Sequence, residues 1–113
     1  MVSLDTMRKL SLALEETDEH PHFEKTAFRV RKKIFATLDD KKARVVLKLN
    51  EIDQSVFSKN REGIIFPVPN KWGKQGWTIV ELKKVRKDIF TDALTTAYCT
   101  VAPKALASLY HAQ

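Results

Sequence analysis

Alternation of apolar and charged residues with a period of two is the feature that most restricts the fold of this chain. Residues 23–50 read FEKTAFRVRKKIFATLDDKKARVVLKLN, and both FRVR and VVLKL place an apolar residue at every second position. Successive side chains of a strand point to opposite faces of its sheet, so the pattern predicts an antiparallel sheet with one buried face. We read three strands here, around FRV, over residues 33–38 and over VVLKL, with DDKK as a turn.

Helical spacing of apolar residues precedes and follows these strands. The first helix begins after Ser3 as its N-cap and ends by Thr17, because TDEHPH has the composition of a loop. Asn50 begins a short second helix, and the last long helix begins at about Asp88, which we predict to be its N-cap. IIFPVPN and WTIVEL are extended, and the prolines restrict the first of them to a sheet edge or a loop. NKWGKQGW is a glycine-bearing turn between them.

The predicted order of elements is α-β(3)-α-β(2)-α. Clustered strands and segregated helices predict an α+β fold of two layers, with helices on one face of an antiparallel sheet. The 113 residues fit a single domain over residues 1–113. The single cysteine, the lack of a signal peptide and the lack of an apolar run of about 20 residues predict a cytoplasmic protein that does not associate with membranes.

The order and the local motifs resemble the MmcQ/YjbR family of small bacterial proteins. The resemblance rests on HPHFEKTAFRVRKKIFATL, on the strands VVLKL and WTIVEL, and on AYCTVAPKAL at the end of the last helix. It covers nearly the whole chain and implies the same two-layer fold. It also implies DNA binding, by similarity to a double-wing DNA-binding domain. The fold is similar to that of secretion chaperones as well, which implies protein binding as the alternative.

Positive charge is concentrated in the body of the domain. The net charge is +6, and residues 1–28 hold 3 Lys/Arg against 6 Asp/Glu, whereas residues 29–113 hold 17 Lys/Arg against 8 Asp/Glu. A basic body attracts polyanions, which predicts contact with the phosphates of nucleic acid. A solvated surface on a basic protein is the alternative explanation.

The predicted sheet has a basic face opposite its buried one. If Phe28, Val30, Val45, Leu47 and Leu49 face the helices, the charged residues between them face away. Arg and Lys can neutralise phosphates there, and Phe35 and Val46 are candidates to join them as apolar members. A solvated face covered by long side chains would show the same pattern. The basic residues predicted on this face are Arg29, Arg31, Arg44 and Lys48.

Two more basic segments lie outside these strands. ELKKVRK, before the last helix, is a candidate phosphate contact or a charged loop. In NKWGKQGW we expect Trp77 to pack in the core, whereas Trp72 is either an exposed aromatic tip or a ring folded back over the sheet edge. The candidate binding residues of the two segments are Lys71, Trp72 and Lys74, and Lys83, Lys84, Arg86 and Lys87.

The sequence contains no strong catalytic or metal signature. His20 and His22 form an H-x-H pair without a third ligand at fixed spacing. Cys99 lies mid-helix, where nothing activates a thiol, and we expect it to be buried and inert. Nucleophile elbows and phosphate loops are absent from the sequence. We therefore expect no enzyme activity, cofactor or metal, and predict a DNA-binding protein, with a protein-binding or homodimeric module as the alternative.

Overall fold

The computed structural model describes residues 1–110, which form a two-layer α+β fold built on one six-stranded sheet. Strands lie in the order β1-β2-β3-β4-β6-β5, and every neighbouring pair is antiparallel. The predicted fold class is confirmed. The elements are α1 (Leu4–Leu12), β1 (Thr17–His22), β2 (Lys25–Val30), β3 (Lys33–Asp39), β4 (Arg44–Lys48), α2 (Glu51–Ser58), β5 (Ile65–Pro67), α3 (Lys71–Lys74), β6 (Trp77–Glu81), α4 (Lys87–Val101) and α5 (Lys104–Ala107).

The core lies between one face of the sheet and α4, which crosses β3 and β4. All five side chains predicted to face the helices are buried there. They form one core cluster with the apolar side of α4, and the Tyr98 ring meets the Phe35 ring edge-on at 5.5 Å between centroids. Burial of this many aromatic and aliphatic side chains supplies the main stabilisation of a domain of this size. The buried residues of α4 are Phe90, Ala93, Leu94, Ala97 and Tyr98.

Phe35 faces the helices, so the prediction that it joins the basic face is wrong. The pairing register of β2 and β3 shifts, because Phe28 pairs with Ala36 whereas the next residue, Arg29, pairs with Ile34. Phe35 is therefore the extra residue of a β-bulge, which breaks the alternation of side chains. Phe35 and Ala36 are both buried in the core, and Ile34 takes the outward position.

TDEHPH is not a loop but the edge strand β1, which pairs with β2 along six residues. Its four central side chains are exposed, so it lacks the apolar alternation that marks a half-buried strand. Pro21 is tolerated because an edge strand can turn its missing donor toward solvent. The first group of strands therefore has four members instead of three.

NKWGKQGW contains a short helix, α3, where a turn was predicted. The Asn70 side chain caps it by accepting a hydrogen bond from the Trp72 amide at 2.8 Å. Gly73 and Gly76 allow close backbone approach, since a Cβ would lie 2.0 Å from the Val68 carbonyl oxygen or 1.8 Å from that of Leu49, respectively. The segment is thus fixed against the ends of neighbouring strands.

Caps at Ser3 and Asn50 are confirmed, with amide-to-side-chain distances of 3.0 and 2.8 Å. The predicted cap of the last helix is wrong. Helix α4 begins at Lys87, and its N-cap position is held by Arg86 without a side-chain cap. Asp88 already lies inside the first turn, where its carboxylate accepts a hydrogen bond from the Ile89 amide at 2.9 Å. A negative charge in the first turn still interacts favourably with the helix dipole.

Candidate nucleic-acid interface

The sheet face turned away from the helices carries a row of mostly apolar side chains, the central row. Directly paired residues of antiparallel strands share a face, so the pairing register aligns one residue from each strand. Ala27 and Ile79 are buried yet lie outside the main core cluster, in keeping with this second face. From β1 to β5 the central row is His20, Ala27, Thr37, Val46, Ile79 and Phe66.

An open groove of about 500 Å³, the outer groove, crosses this face. Strands β3 and β4 supply two aliphatic side chains and a threonine. The β1–β2 hairpin supplies an imidazole and an ammonium, and the segment from β5 to β6 supplies a valine and two indoles. The eight residues of the described chain that line it include no carboxylate. The lining residues are His22, Lys25, Ile34, Thr37, Val46, Val68, Trp72 and Trp77.

Both tryptophans line the outer groove, so the prediction that Trp77 packs in the core is wrong. Trp77 pairs with the outward-facing Lys48, and it is the following residue, Thr78, that is fully buried. The Lys48 ammonium lies 5.5 Å from the centroid of the Trp77 ring, within cation–π range. Trp72 lines the groove as well and remains 50% exposed, which combines the two predicted alternatives.

Two arginines of the predicted basic face hold bidentate ion pairs with residues at the start of β1. Arg29 donates to Asp18 at 2.9 and 3.2 Å, and Arg31, in the β2–β3 turn, donates to Glu16 at the same two distances. These hydrogen bonds hold the pKa of both carboxyl groups below their ordinary values and raise the pKa of Arg31. Positive charge is therefore balanced locally at this edge of the sheet.

The other two basic residues of this face also have partners. Arg44 pairs with Glu81 across β4 and β6, with 2.6 Å between Nη2 and Oε2. The Lys48 ammonium donates a hydrogen bond to the carbonyl oxygen of Gln75, just after α3. Lys48 keeps its net charge, because a carbonyl carries none, whereas the charge of Arg44 is balanced.

The pairing register places the predicted binding residues at two ends of the sheet. Lys48 lies opposite Trp77 at the start of β6, and Arg44 lies opposite Glu81 at its end. The five residues of β6 separate these ends by roughly 13 Å at 3.3 Å per residue. Arg86, at the second end, is paired with Asp88 at 2.9 Å. The first set is Lys48, Lys71, Trp72 and Lys74, and the second is Arg44, Lys83, Lys84, Arg86 and Lys87.

Lysines lie at the outer groove and on the short helix that carries Trp72. Lys25 lines the groove, and Lys71 and Lys74 flank Trp72 on α3. Within residues 1–110, none of these three lysines takes part in an ion pair. Lys25 was not among the predicted binding residues and His22 was considered only as a metal ligand, because the first half of their hairpin was predicted to be a loop. Pairing HPH with KTA around the central FE would have revealed them.

Other chemically active groups are few in the described part of the chain. Cys99 is half-buried, its Sγ lies 3.6 Å from the Ala107 carbonyl oxygen, and burial raises the pKa of the thiol, which disfavours the reactive thiolate. Residues 1–110 hold no cluster of three or more His, Cys, Asp or Glu side chains arranged for a metal. None of the helices described there has both the length and the apolar character needed to cross a membrane.

The chain is similar to known proteins in fold and in sequence. Its fold matches the crystal structure of Deinococcus radiodurans protein DR2400, described as a DUF419 domain, with a TM-score of 0.80 and 22% identity over 93% of this chain and 82% of that chain. At that identity the likeness shows a shared fold alone. No curated protein matches the sequence. The YjbR family model matches residues 12–100, and the chain therefore belongs to the YjbR family.

Proposed function

We propose that the protein binds nucleic acid, with DNA as the ligand, through the outer face of its sheet. The observation that carries this proposal is the outer groove, where two indoles and an aliphatic floor lie close to lysines that form no ion pair with a carboxylate of residues 1–110. Its complement is a molecule that joins flat aromatic rings to negative charge. Nucleic acid has both, and aromatic platforms beside basic grooves are a common means of binding it.

Phosphate contact is assigned to the lysines rather than to the arginines of the sheet. An exposed ion pair adds little to stability, so a phosphate could displace Asp18 from Arg29, but exchanging one anion for another gains little. A lysine without a partner gives its full charge to a phosphate and releases a condensed counterion from the nucleic acid. The assigned phosphate-binding residues are Lys25, Lys48, Lys71 and Lys74.

The ELKKVRK segment contributes to attraction rather than to the same site. Its lysines, Lys83, Lys84 and Lys87, lie at the far end of β6, beside Glu81 and Asp88. In the proposal they raise the potential of the whole face and speed encounter with a polyanion.

Reversing the charge of one groove lysine and of the two lysines on the Trp72 helix tests the proposal. We expect Lys25→Glu, Lys71→Glu and Lys74→Glu together to weaken DNA binding more than tenfold and to reduce the slope of log K against log salt by about 2 to 3, since each lost phosphate contact removes about 0.9. Fluorescence anisotropy with labelled duplex and single-stranded DNA measures both quantities. The control variant changes Lys41, Lys59 and Lys104 to Glu, which gives the same net charge without altering a groove residue.

Two results contradict the proposal. One is equal weakening by the groove variant and the control variant, which would mean that only total charge matters. The other is a lack of binding to both forms of DNA by the unmodified protein at low salt.

Helix α2 supports a second candidate function, a protein-binding or homodimeric module. Ile52 and Val56, one helical turn apart, are 73% and 61% exposed, and no residue of α2 is fully buried. Adjacent exposed aliphatic side chains on a helix are typical of a contact surface. This surface is distinct from the outer groove, so the two functions can be tested separately.

A further inference from the structure

We propose that the outer groove receives unpaired bases of single-stranded nucleic acid, with the Trp72 indole as their stacking surface. This inference rests on the proposed function and narrows it to one form of ligand. A duplex keeps its base faces stacked inside the helix and presents only their edges in its grooves, whereas a single strand can turn a base face onto an aromatic ring. The groove is therefore expected to distinguish single-stranded from duplex nucleic acid.

Trp72 is held as a rigid platform rather than on a loose loop. Asn70 caps the helix at the Trp72 amide, and the Gln54 side chain donates to the Gly73 carbonyl at 2.9 Å. Gly73 and Gly76 bring the backbone against neighbouring strands so closely that a Cβ would not fit at either position. An aromatic side chain on a fixed backbone loses little conformational entropy when a ligand stacks on it.

The two indoles have different environments, which assigns them different roles. Lys48 lies over the Trp77 ring and is itself tied to the Gln75 carbonyl, so that ring is partly covered. Within residues 1–110, no cation lies over the Trp72 ring, and half of this side chain meets solvent. Trp72 is therefore the ring available to a base, while Lys48 on Trp77 places positive charge beside it.

A second aromatic side chain lies next to the opposite wall of the groove. Phe23, at the tip of the β1–β2 hairpin, is 93% exposed, and its ring meets the His22 ring edge-on at 4.9 Å. Its backbone has a φ of +59°, a conformation uncommon for a bulky residue. A short run of bases that starts at Trp72 and crosses the groove would end against this pair of rings.

Charge complementarity favours a polyanion over a peptide or a second copy of this chain as the occupant. A neutral apolar segment laid into the groove would leave without counterions Lys25, which lines the groove, and Lys71 and Lys74, which lie on the same short helix as Trp72. Desolvating such charges without partners opposes binding. The phosphates of a single strand, one for each nucleotide, supply the missing negative charge.

Three probes of equal length separate stacking from charge: a single-stranded oligonucleotide, its duplex, and a single strand of abasic sugars with the same number of phosphates. At matched ionic strength we expect the base-bearing strand to bind about tenfold more tightly than the abasic strand, a difference of about 1.4 kcal/mol. We expect Trp72→Ala to abolish that difference and Trp72→Phe to retain most of it. Circular dichroism verifies that each variant is folded.

Tryptophan emission gives a direct readout of the same contact. In a Trp77→Phe variant only Trp72 emits, and we expect saturating base-bearing strand to quench this emission while the abasic strand does not. Equal affinity for base-bearing and abasic strands, or unchanged Trp72 emission, overturns the inference and leaves the proposed function standing. Tighter binding of the duplex than of the single strand also overturns the inference and leaves the proposed function standing. A lack of binding to all three probes overturns both.

Discussion

Two glycines near Trp72 let the backbone of its segment lie directly against neighbouring strands, because they carry no side chain. Gly76 has a φ of +102°, and its Cα approaches the Leu49 carbonyl oxygen so closely that a Cβ would lie 1.8 Å from it. The oxygen belongs to the backbone at the end of β4, which cannot move without disturbing the sheet. Glycine at position 76 thus meets two requirements, a positive φ and the lack of space for a Cβ. Both help to fix the backbone of the segment that carries Trp72.

We predict that Gly76→Ala lowers the free energy of unfolding by about 2 to 4 kcal/mol, from the cost of a positive φ and of the clash together. Gly63→Ala is the matched control, because Gly63 also has a positive φ, +77°, but a Cβ there meets nothing within 4 Å. That control should lose only about 1 kcal/mol. Chemical denaturation measures both changes. Equal losses for the two variants would mean that the close approach to Leu49 is not needed for stability.

At the scale of elements, strand β1 decides which charges of the outer face are free. It is polar, exposed and at the sheet edge, and the Asp18 and Glu16 carboxylates attach it to its neighbours through two arginines. Sequence alternation could not reveal this strand, because both of its faces meet solvent. It therefore could not show that Arg29 and Arg31 have partners, a fact that moves the candidate phosphate contacts to the lysines around the groove.

We predict that Asp18→Asn with Glu16→Gln speeds hydrogen exchange at the β1 amides while the core amides are unaffected. The pKa values of both carboxyl groups are depressed in the folded protein. Their contribution to the stability of β1 is therefore fully present above the ordinary carboxyl pKa of about 4. It is lost as pH falls through the depressed values. The unmodified protein should therefore show the same loosening in acid, and the double variant should not change further.

Asp5→Asn is the control for this prediction, because Asp5 forms its ion pair with Lys9 of the same helix, α1, and not with a residue that binds β1 to β2. If this variant and the double variant exchange alike at β1, the two bidentate pairs do not hold the strand.

At the scale of the whole molecule, the two candidate functions occupy different surfaces. The outer groove lies on the sheet face turned away from α4, and the exposed aliphatic pair lies on α2. Binding of nucleic acid and association with a protein therefore need not exclude each other.

We predict that, if the protein forms a dimer through α2, Ile52→Lys with Val56→Lys shifts it to the monomer, since a charge at each position opposes burial of that surface. DNA affinity should change by less than the loss produced by the groove variant. Light scattering over a range of protein concentrations measures the association. Glu51→Gln with Ser55→Ala, on the same helix, is the control. A dimer that survives the two lysines would place the contact elsewhere.

The sequence by itself determined the α+β class, the buried face of β2 and β4, two helix caps and the excess of positive charge. Each of these depends on near neighbours along the chain, through alternation, helical spacing or a side chain within reach of an amide. From the sequence, Trp72 with Lys71 and Lys74 was a candidate for an exposed aromatic and basic tip, with a ring folded back over the sheet edge as the alternative.

Only the tertiary structure decided which charges are balanced and which side chains meet. Arg44 and Glu81 are 37 residues apart, and Lys25 and Trp72 come from distant segments of the chain. A bulge at Phe35 turns that side chain inward, and pairing with the outward-facing Lys48 places Trp77 on the groove instead of in the predicted core. Strand pairing sets these contacts, and a period of two along one strand carries no information about the register or the charge of its neighbours.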